Sequence, residues 1–168
     1  MSSIIEKLDS YQILTNLLPG AFFVLTLKFF LGLNLSTQNI GEDIVIYYFV
    51  GLIINRVGSL VVEPILKKIR FIKYAPYSDY ARAAKDDSKI DTLSQMNNST
   101  RSLLTCVLLI PVIHVLHIML LNWTWLSLYW RWGAITLLVV LFLFSYKKQT
   151  DYVRTRVEAV NIHKEKNL

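Results

Sequence analysis

Four long apolar segments constrain this chain more than any other feature of its sequence. They cover residues 13–33, 44–66, 102–121 and 126–146. Each is about as long as a helix must be, at ~1.5 Å of rise per residue, to cross ~30 Å of hydrocarbon. Hydrophobic residues make up 54% of the 168 residues and charged residues 18%, which is too apolar for an ordinary soluble domain of this size. The sequence therefore predicts an all-α fold, a bundle of four transmembrane helices.

Lysine and arginine are distributed unevenly among the segments that connect these spans. Residues 34–43, between the first two spans, contain none, and the stretch NWTWLSLYWR, which joins the last two spans and includes the start of the fourth, contains only Arg131. Most of the others follow the second span (Lys67, Lys68, Arg70, Lys73, Arg82, Lys85, Lys89, Arg101) or the fourth (Lys147, Lys148, Arg154, Arg156, Lys164, Lys166). Because cytoplasmic loops of membrane proteins collect these cations, we expect residues 67–101 and both termini to be cytoplasmic.

Both predicted cytoplasmic parts contain helix-forming sequence. After Pro76 the segment SDYARAAKDDSKIDTLSQM favours a short helix or a helical hairpin. The C-terminal residues contain no glycine or proline, so the fourth span is expected to continue as a helical extension. The chain is thereby divided into residues 1–66 with the first two spans, the cytoplasmic loop 67–101, residues 102–146 with the last two spans, and the cytoplasmic helix 147–168.

The start of the cytoplasmic loop is a candidate surface for lipid contact or docking. In the stretch KKIRFIKYAPYSDY, apolar and tyrosine residues alternate with the cations Lys67, Lys68, Arg70 and Lys73. Such a stretch can lie on an anionic membrane surface. The alternative is that these cations only orient the chain in the membrane.

The C-terminal helix offers a second candidate docking surface. Val153, Val157 and Val160 recur at spacings of four and three residues, the rhythm of a coiled-coil seam. This pattern favours self-association or docking of a partner. A helix that packs against residues 67–101 of its own chain would show the same pattern, because two heptads are too short to separate the cases.

The second span contains polar residues where its neighbours are apolar. Arg56 lies about 18 Å along this span at helical rise, past the membrane midplane. An arginine at a helix centre costs roughly 2.5 to 3.5 kcal/mol on insertion scales, so it should have a partner. The candidate partners on its own helix are Asn55, Ser59 and Glu63. Ser59 and Glu63 follow at i+3 and i+7, on the Arg56 face of a regular helix.

The third span contributes His114 and His117, which lie three residues apart and therefore on one helix face. Together with Asn55, Arg56, Ser59 and Glu63 they form a predicted intramembrane polar switch or pore lining. The alternative is a polar network that joins helices, at about 0.6 to 2 kcal/mol per interhelical hydrogen bond. Two histidines without a third ligand do not predict a metal site.

Motifs of catalysis and cofactor binding are absent from the sequence. It contains no HExxH, Walker A, GxSxG, GxGxxG or paired CxxC motif, so we expect neither an enzyme nor a cofactor. One weak exception is Arg156 followed by His163, a spacing that resembles the motif of HEPN ribonucleases. The net charge of +6 is accounted for by membrane orientation, so direct nucleic-acid binding is not expected.

Three stretches resemble a group of small bacterial multi-pass membrane proteins of anti-phage defence. They are YQILTNLLPGAFF, RVGSLVVEPILKKIRFIKYAPYSDY and MNNSTR, within about residues 11 to 101. The resemblance is either to the membrane subunit of Kiwa systems or to the membrane effectors of retron, CBASS and related systems. The resemblance implies a homo-oligomer of the bacterial inner membrane that works with a cytoplasmic partner protein, either as a sensor of a membrane event or as a permeabilising effector. The alternative is a small channel or transporter subunit unrelated to defence.

Overall fold

Helices make up every regular element of the described chain. The computed structural model describes the backbone of residues 2–87 and 89–165, with the side chains of residues 13, 15–77, 79–84, 87, 89–124 and 128–158. The helices are α1 (Ser2–Leu31), α2 (Ile40–Val57), α3 (Glu63–Lys68), α4 (Tyr77–Asp86), α5 (Lys89–Asn122) and α6 (Thr124–Glu165). A π-helical turn, Gly58–Val62, joins α2 to α3. The predicted all-α fold is confirmed.

Three helices are long and apolar enough, by length and composition, to cross a membrane. They are Ile40–Lys68, which runs through α2, the π-helical turn and α3, then Lys89–Asn122, and finally Leu128–Glu158 within α6. The first of the four predicted spans corresponds to a shorter apolar helix, Thr15–Leu31. The described residues thus hold three helices of spanning length and one shorter apolar helix.

Apolar side chains cover the outside of this bundle. Phe29, Leu121 and Trp132 are 84%, 73% and 71% exposed, and many other large apolar side chains are exposed with them. Among the side chains that the structure describes, the buried polar and charged ones are Thr26, Glu63, Ser102, Thr105 and Ser145. Soluble monomers rarely expose so much contiguous apolar surface, which marks membrane or protein interaction sites. The distribution is compatible with a lipid environment around the helices.

The most extensive helix pair is α1 against α2, and two glycines allow its close approach. A Cβ atom on Gly20 would overlap the carbonyl oxygen of Tyr47, and one on Gly51 would overlap that of Asn16. Small residues at these positions let two membrane helices touch through their backbones. Helix α5 packs across this pair, and the buried side chains where the three meet are Phe23, Leu27, Ile54 and Cys106.

The connection between the second and third predicted spans contains helical segments, as the sequence predicts, namely α4 and the first part of α5. Helix α5 begins at Lys89, well before the span predicted at residues 102–121. Residues 89–101 contain neither glycine nor proline, so nothing in this stretch ends the helix. At the other end of the chain, α6 is continuous from Thr124 to Glu165, which confirms the predicted helical extension.

Candidate functional site

Glu63, the first residue of α3, is a buried carboxylate. It is the only acidic residue within the four apolar segments of the sequence, and it is 4% exposed. Removing a carboxylate from water carries a penalty of several kcal/mol, which is offset only when cations and hydrogen-bond donors surround it closely. The groups that meet this requirement define the candidate site.

Three cations surround this carboxylate, and two of them come from other helices. Arg101 Nη1 donates to Glu63 Oε2 at 2.6 Å from the first half of α5, and Lys67 Nζ donates to Oε1 at 2.7 Å from the next turn of α3. Lys148 Nζ, on α6, lies 3.7 Å from Oε2. One carboxylate at the start of α3 therefore joins this helix to α5 and α6, and we name residues 59, 63, 67, 101 and 148 the Glu63 cluster.

Ser59 belongs to this cluster because of the proline that follows Glu63. In the π-helical turn each N–H bonds five residues back, and Glu63 N–H donates to the Gly58 carbonyl in this way. The next donor in that register would be residue 64, but Pro64 has no N–H. Lys148 Nζ instead donates to the Ser59 carbonyl at 2.6 Å and to Ser59 Oγ at 2.8 Å. Pro64 thus leaves a carbonyl vacant on the π-helical turn, and a lysine of α6 occupies it.

Restoring the missing N–H should loosen α6. In Pro64→Ala the alanine N–H can bond a main-chain carbonyl in its own helix, so Lys148 loses exclusive access to the Ser59 carbonyl. A hydrogen bond to a charged group contributes about 1.5 to 3 kcal/mol, so local opening of α6 should rise roughly tenfold or more. Amide hydrogen exchange over residues 145–152 measures this opening. Pro111→Ala, inside α5, is the matched control and should leave that exchange unchanged; equal exchange rates in both variants would contradict this role of Pro64.

A chain of polar side chains extends from the cluster to α1. Arg101 Nη2 donates to Asn55 Oδ1 at 3.0 Å, and Asn55 Nδ2 donates to Asn16 Oδ1 at 3.2 Å. Gly58 permits this approach of α5, since a Cβ atom there would lie 2.7 Å from Thr105 Oγ1. All four long helices of the bundle are therefore connected at one end by direct polar contacts.

Tyrosines flank the cluster on its outer side. Lys67 Nζ lies 4.3 Å from the ring centroid of Tyr74, and Lys148 Nζ lies 5.8 Å from that of Tyr152. The ring of Tyr77, at the start of α4, lies 6.5 Å from that of Tyr152. Asn97, on α5, donates to Tyr74 Oη at 3.1 Å. These contacts dock α4 and the segment before it against α5 and α6.

The structure brings together only part of the polar set expected in the second and third spans. Asn55, Ser59 and Glu63 converge on one network. Arg56 is partly exposed and has no hydrogen bond or ion pair among the described side chains. The candidate pairing of Arg56 with Ser59 or Glu63 is therefore wrong for the described side chains. Ser59 instead accepts from Lys148, and the π-helical turn rotates α3 relative to α2, so the i+7 position of Glu63 no longer shares the Arg56 face. His114 is exposed and His117 is partly exposed, outside the Glu63 cluster.

Sequence reasoning does not single out Arg101 and Lys148, the interhelical partners of Glu63. From the sequence, both residues are interpreted only as cations that orient the chain in the membrane. A signal is present, because the sole carboxylate of four apolar segments requires a cation at its own depth. Arg101 directly precedes the third predicted span and Lys148 follows the fourth by two residues, so the predicted topology places both at the same end as Glu63.

The two predicted docking surfaces differ in how far the structure describes them. Lys67 belongs to the Glu63 cluster, whereas Lys68, Arg70 and Lys73 are exposed. Val153 and Val157 are exposed on α6 at 57% and 54%; the side chains of Val160 and His163 lie outside the described residues. We name the α6 face that carries Val153, Val157 and Val160 the valine surface; its two described side chains are exposed.

Comparison with known proteins adds no family assignment. No protein-family model, no curated protein and no solved structure matches this chain.

Proposed function

We propose that this chain is a homo-oligomeric, multi-pass protein of the bacterial inner membrane that acts with a cytoplasmic protein in anti-phage defence. It senses a membrane event or permeabilises the membrane, and the Glu63 cluster is the latch that holds its resting state. The observation that carries this proposal is that a single buried carboxylate joins α3, α5 and α6 at one end of the bundle. The defence setting is supported by the resemblance of residues 11 to 101.

The membrane arrangement in this proposal has four spans, with both ends of the chain in the cytoplasm. Three helices of spanning length and the exposed apolar surface of the bundle support it. Thr15–Leu31 is the fourth span, since 17 residues at ~1.5 Å each cover about 26 Å, close to the hydrocarbon thickness of ~30 Å. The cations of the latch then lie at the cytoplasmic end, where lysine and arginine are concentrated.

Helix α6 connects the latch to the cytoplasm. Its 42 residues extend about 63 Å, roughly twice the thickness of the hydrocarbon core, so its C-terminal part projects beyond the membrane. Lys148 lies where this projecting part meets the bundle. A partner bound to the projecting part acts first on the contacts between Lys148 and Ser59. Release of Lys148 leaves one carboxylate with fewer cations and admits water between the helix ends, near Arg56 and, farther along α5, His114 and His117.

A sensor and a permeabilising effector use this latch differently. In a sensor, release exposes the partner surface of α6, and no ions cross the membrane. In an effector, release opens a polar path, so liposomes should leak only when the partner is added. A channel or transporter subunit unrelated to defence would instead conduct ions in liposomes without any partner. Flux through the purified chain, with and without the soluble fraction of its host cell, separates these cases.

The valine surface of α6 is expected to bind the cytoplasmic partner. Val153→Asp together with Val157→Asp places two carboxylates on this surface and should reduce co-purification of the partner at least tenfold, since buried unpaired charge disrupts an interface. The measurement is a pull-down of the tagged chain in mild detergent, followed by native mass determination. Thr155→Asp, exposed on the opposite face of the same helix, is the matched control.

Two results would contradict this assignment. Loss of the partner in Thr155→Asp as well would show a general charge effect on the tail. A wild-type pull-down that contains only copies of this chain would remove the cytoplasmic partner from the proposal and favour a self-sufficient pore.

A further inference from the structure

Positive charge exceeds negative charge in the Glu63 cluster, and the excess is accessible from outside the bundle. Lys67, Arg101 and Lys148 share one carboxylate, which leaves a formal excess of two positive charges. Their side chains are 44%, 14% and 26% exposed, whereas that of Glu63 is 5% exposed. The carboxylate therefore lies at the base of the cluster, and the two lysines lie nearer its opening.

The carboxylate cannot neutralise both lysines equally. Lys67 Nζ lies 2.7 Å from Oε1 and Arg101 Nη1 lies 2.6 Å from Oε2, whereas Lys148 Nζ lies 3.7 Å from Oε2. The hydrogen bonds of Lys148 go to the carbonyl and hydroxyl oxygens of Ser59, which carry no net charge. A second anion beside Lys67 and Lys148 would be held by charge-assisted hydrogen bonds without displacing Glu63.

Two tyrosine hydroxyls supply further donors at this opening. Tyr74 lies under Lys67 and Tyr152 lies beside Lys148, and the two residues are 43% and 45% exposed. Tyr74 Oη accepts a hydrogen bond from Asn97, so its own proton remains available to an anion. The ring of Tyr152 lies 5.8 Å from Lys148 Nζ, and its hydroxyl is the second such donor.

The surface next to this opening has the character of a segment that lies on a membrane. Ile69 and Phe71 are 63% and 75% exposed and alternate with the exposed cations Lys68, Arg70 and Lys73. Apolar side chains at acyl-chain level, with lysine and arginine at headgroup level, favour binding to an anionic leaflet. The headgroups of that leaflet can supply an anion to this region.

From these observations we infer that Lys67 and Lys148, together with the hydroxyls of Tyr74 and Tyr152, bind one phosphate ester anion, supplied by the headgroup of an anionic phospholipid. The inference rests on the proposed function in one respect, the placement of the latch at the cytoplasmic membrane surface. Bound phosphate supplies the negative charge that the cluster lacks, and so strengthens the contact between α6 and the π-helical turn. The charge of the surrounding lipid thereby sets how readily the latch opens.

Native mass spectrometry of the full-length chain in mild detergent tests this site. The probes are dioctanoyl phosphatidylglycerol, dioctanoyl phosphatidylcholine with the same acyl chains, and inorganic phosphate. We expect one phosphatidylglycerol to be retained per chain in preference to phosphatidylcholine. Lys67→Gln and Lys148→Gln should each weaken its binding about tenfold, the loss expected when one charge-assisted hydrogen bond to the phosphate is removed. Tyr74→Phe, which removes only a hydroxyl, should weaken it by a smaller factor.

Lys147→Gln is the matched control, since Lys147 is exposed, adjacent to Lys148 and outside the cluster. Equal retention of the two lipids, or equal weakening by Lys147→Gln, would overturn the site. Inorganic phosphate that binds with the same dependence on Lys67 and Lys148, without a preference for phosphatidylglycerol, would support the anion site and assign it to a soluble phosphate ester.

The same experiment separates this inference from the proposed function. If the wild-type chain binds phosphatidylglycerol selectively and the Glu63→Gln variant remains fully active in cells, the lipid site is supported and the latch is rejected. If the wild-type chain shows no selective binding and the Glu63→Gln variant is inactive in cells, the lipid site is rejected and the latch is retained.

Discussion

Replacing Glu63 with glutamine is expected to lower the free energy of unfolding by about 3 to 5 kcal/mol and to abolish the activity of the chain in cells. The substitution keeps the size of the side chain but removes the only negative charge among Lys67, Arg101 and Lys148. Breaking a buried ion pair by removing one partner is strongly destabilising because the remaining charge is left without compensation. Thermal unfolding in detergent measures the stability, and protection of cells against phage measures the proposed defence activity.

Two further variants assign this loss to the buried charge. Glu158→Gln removes a carboxylate of the same kind from an exposed i, i+4 pair with Arg154, and should leave stability unchanged. The double variant Glu63→Gln with Arg101→Gln removes both members of the closest interhelical pair, and should be more stable than Glu63→Gln alone. A double variant that is no more stable than the single one would contradict the assignment, as would a single variant with wild-type stability.

Gly51→Val is expected to separate α1 from α2 and to prevent recovery of a single folded species. The first side-chain atom would already overlap the carbonyl oxygen of Asn16, and a helix backbone cannot move aside as the end of a flexible side chain can. Since α1 packs more extensively against α2 than against any other helix, we expect a loss of several kcal/mol, as in severe overpacking. Size-exclusion chromatography in detergent with thermal unfolding checks the result.

Gly133→Val provides the control for this substitution. Gly133 lies in α6, and a Cβ atom added to it would have no described neighbour within 4 Å, so valine there should be tolerated. A monodisperse Gly51→Val protein with wild-type unfolding temperature would show that the two backbones are not in direct contact. Equal damage from both substitutions would point to the helix propensity of valine rather than to helix packing.

The polar groups of the bundle fall into two kinds with different consequences. The contact between Asn16 and Asn55 is neutral, and such interhelical hydrogen bonds contribute about 0.6 to 2 kcal/mol, which suits a permanent join between α1 and α2. The Glu63 cluster is ionic, and its stability depends on Glu63, the one anion that its three cations share. Dependence on one shared group suits a latch, because the contacts of α3, α5 and α6 at this point are lost together when that group is displaced.

The sequence predicts the fold correctly where a single pattern decides the local structure. Apolar segments of spanning length predict the helices, and the absence of glycine and proline after the last segment predicts the continuous α6. The prediction of the site is incomplete. It identifies Asn55, Ser59 and Glu63 but expects Arg56 as their partner, since residues at an i+7 spacing share a face on a regular helix. The π-helical turn at Gly58–Val62 changes that geometry, and hydrophobic periodicity does not predict such a turn.

The sequence by itself determined which segments are helical and that a lone carboxylate in an apolar helix must find a cation, because both follow from the solvation of backbone and charge. Only the tertiary structure decided which cations those are. Arg101 and Lys148 lie 38 and 85 residues from Glu63 along the chain, and their approach depends on how α5 and α6 pack against α2 and the π-helical turn. The missing N–H of Pro64 is visible in the sequence, but that a lysine from α6 occupies the carbonyl it leaves vacant is a property of the packed helices.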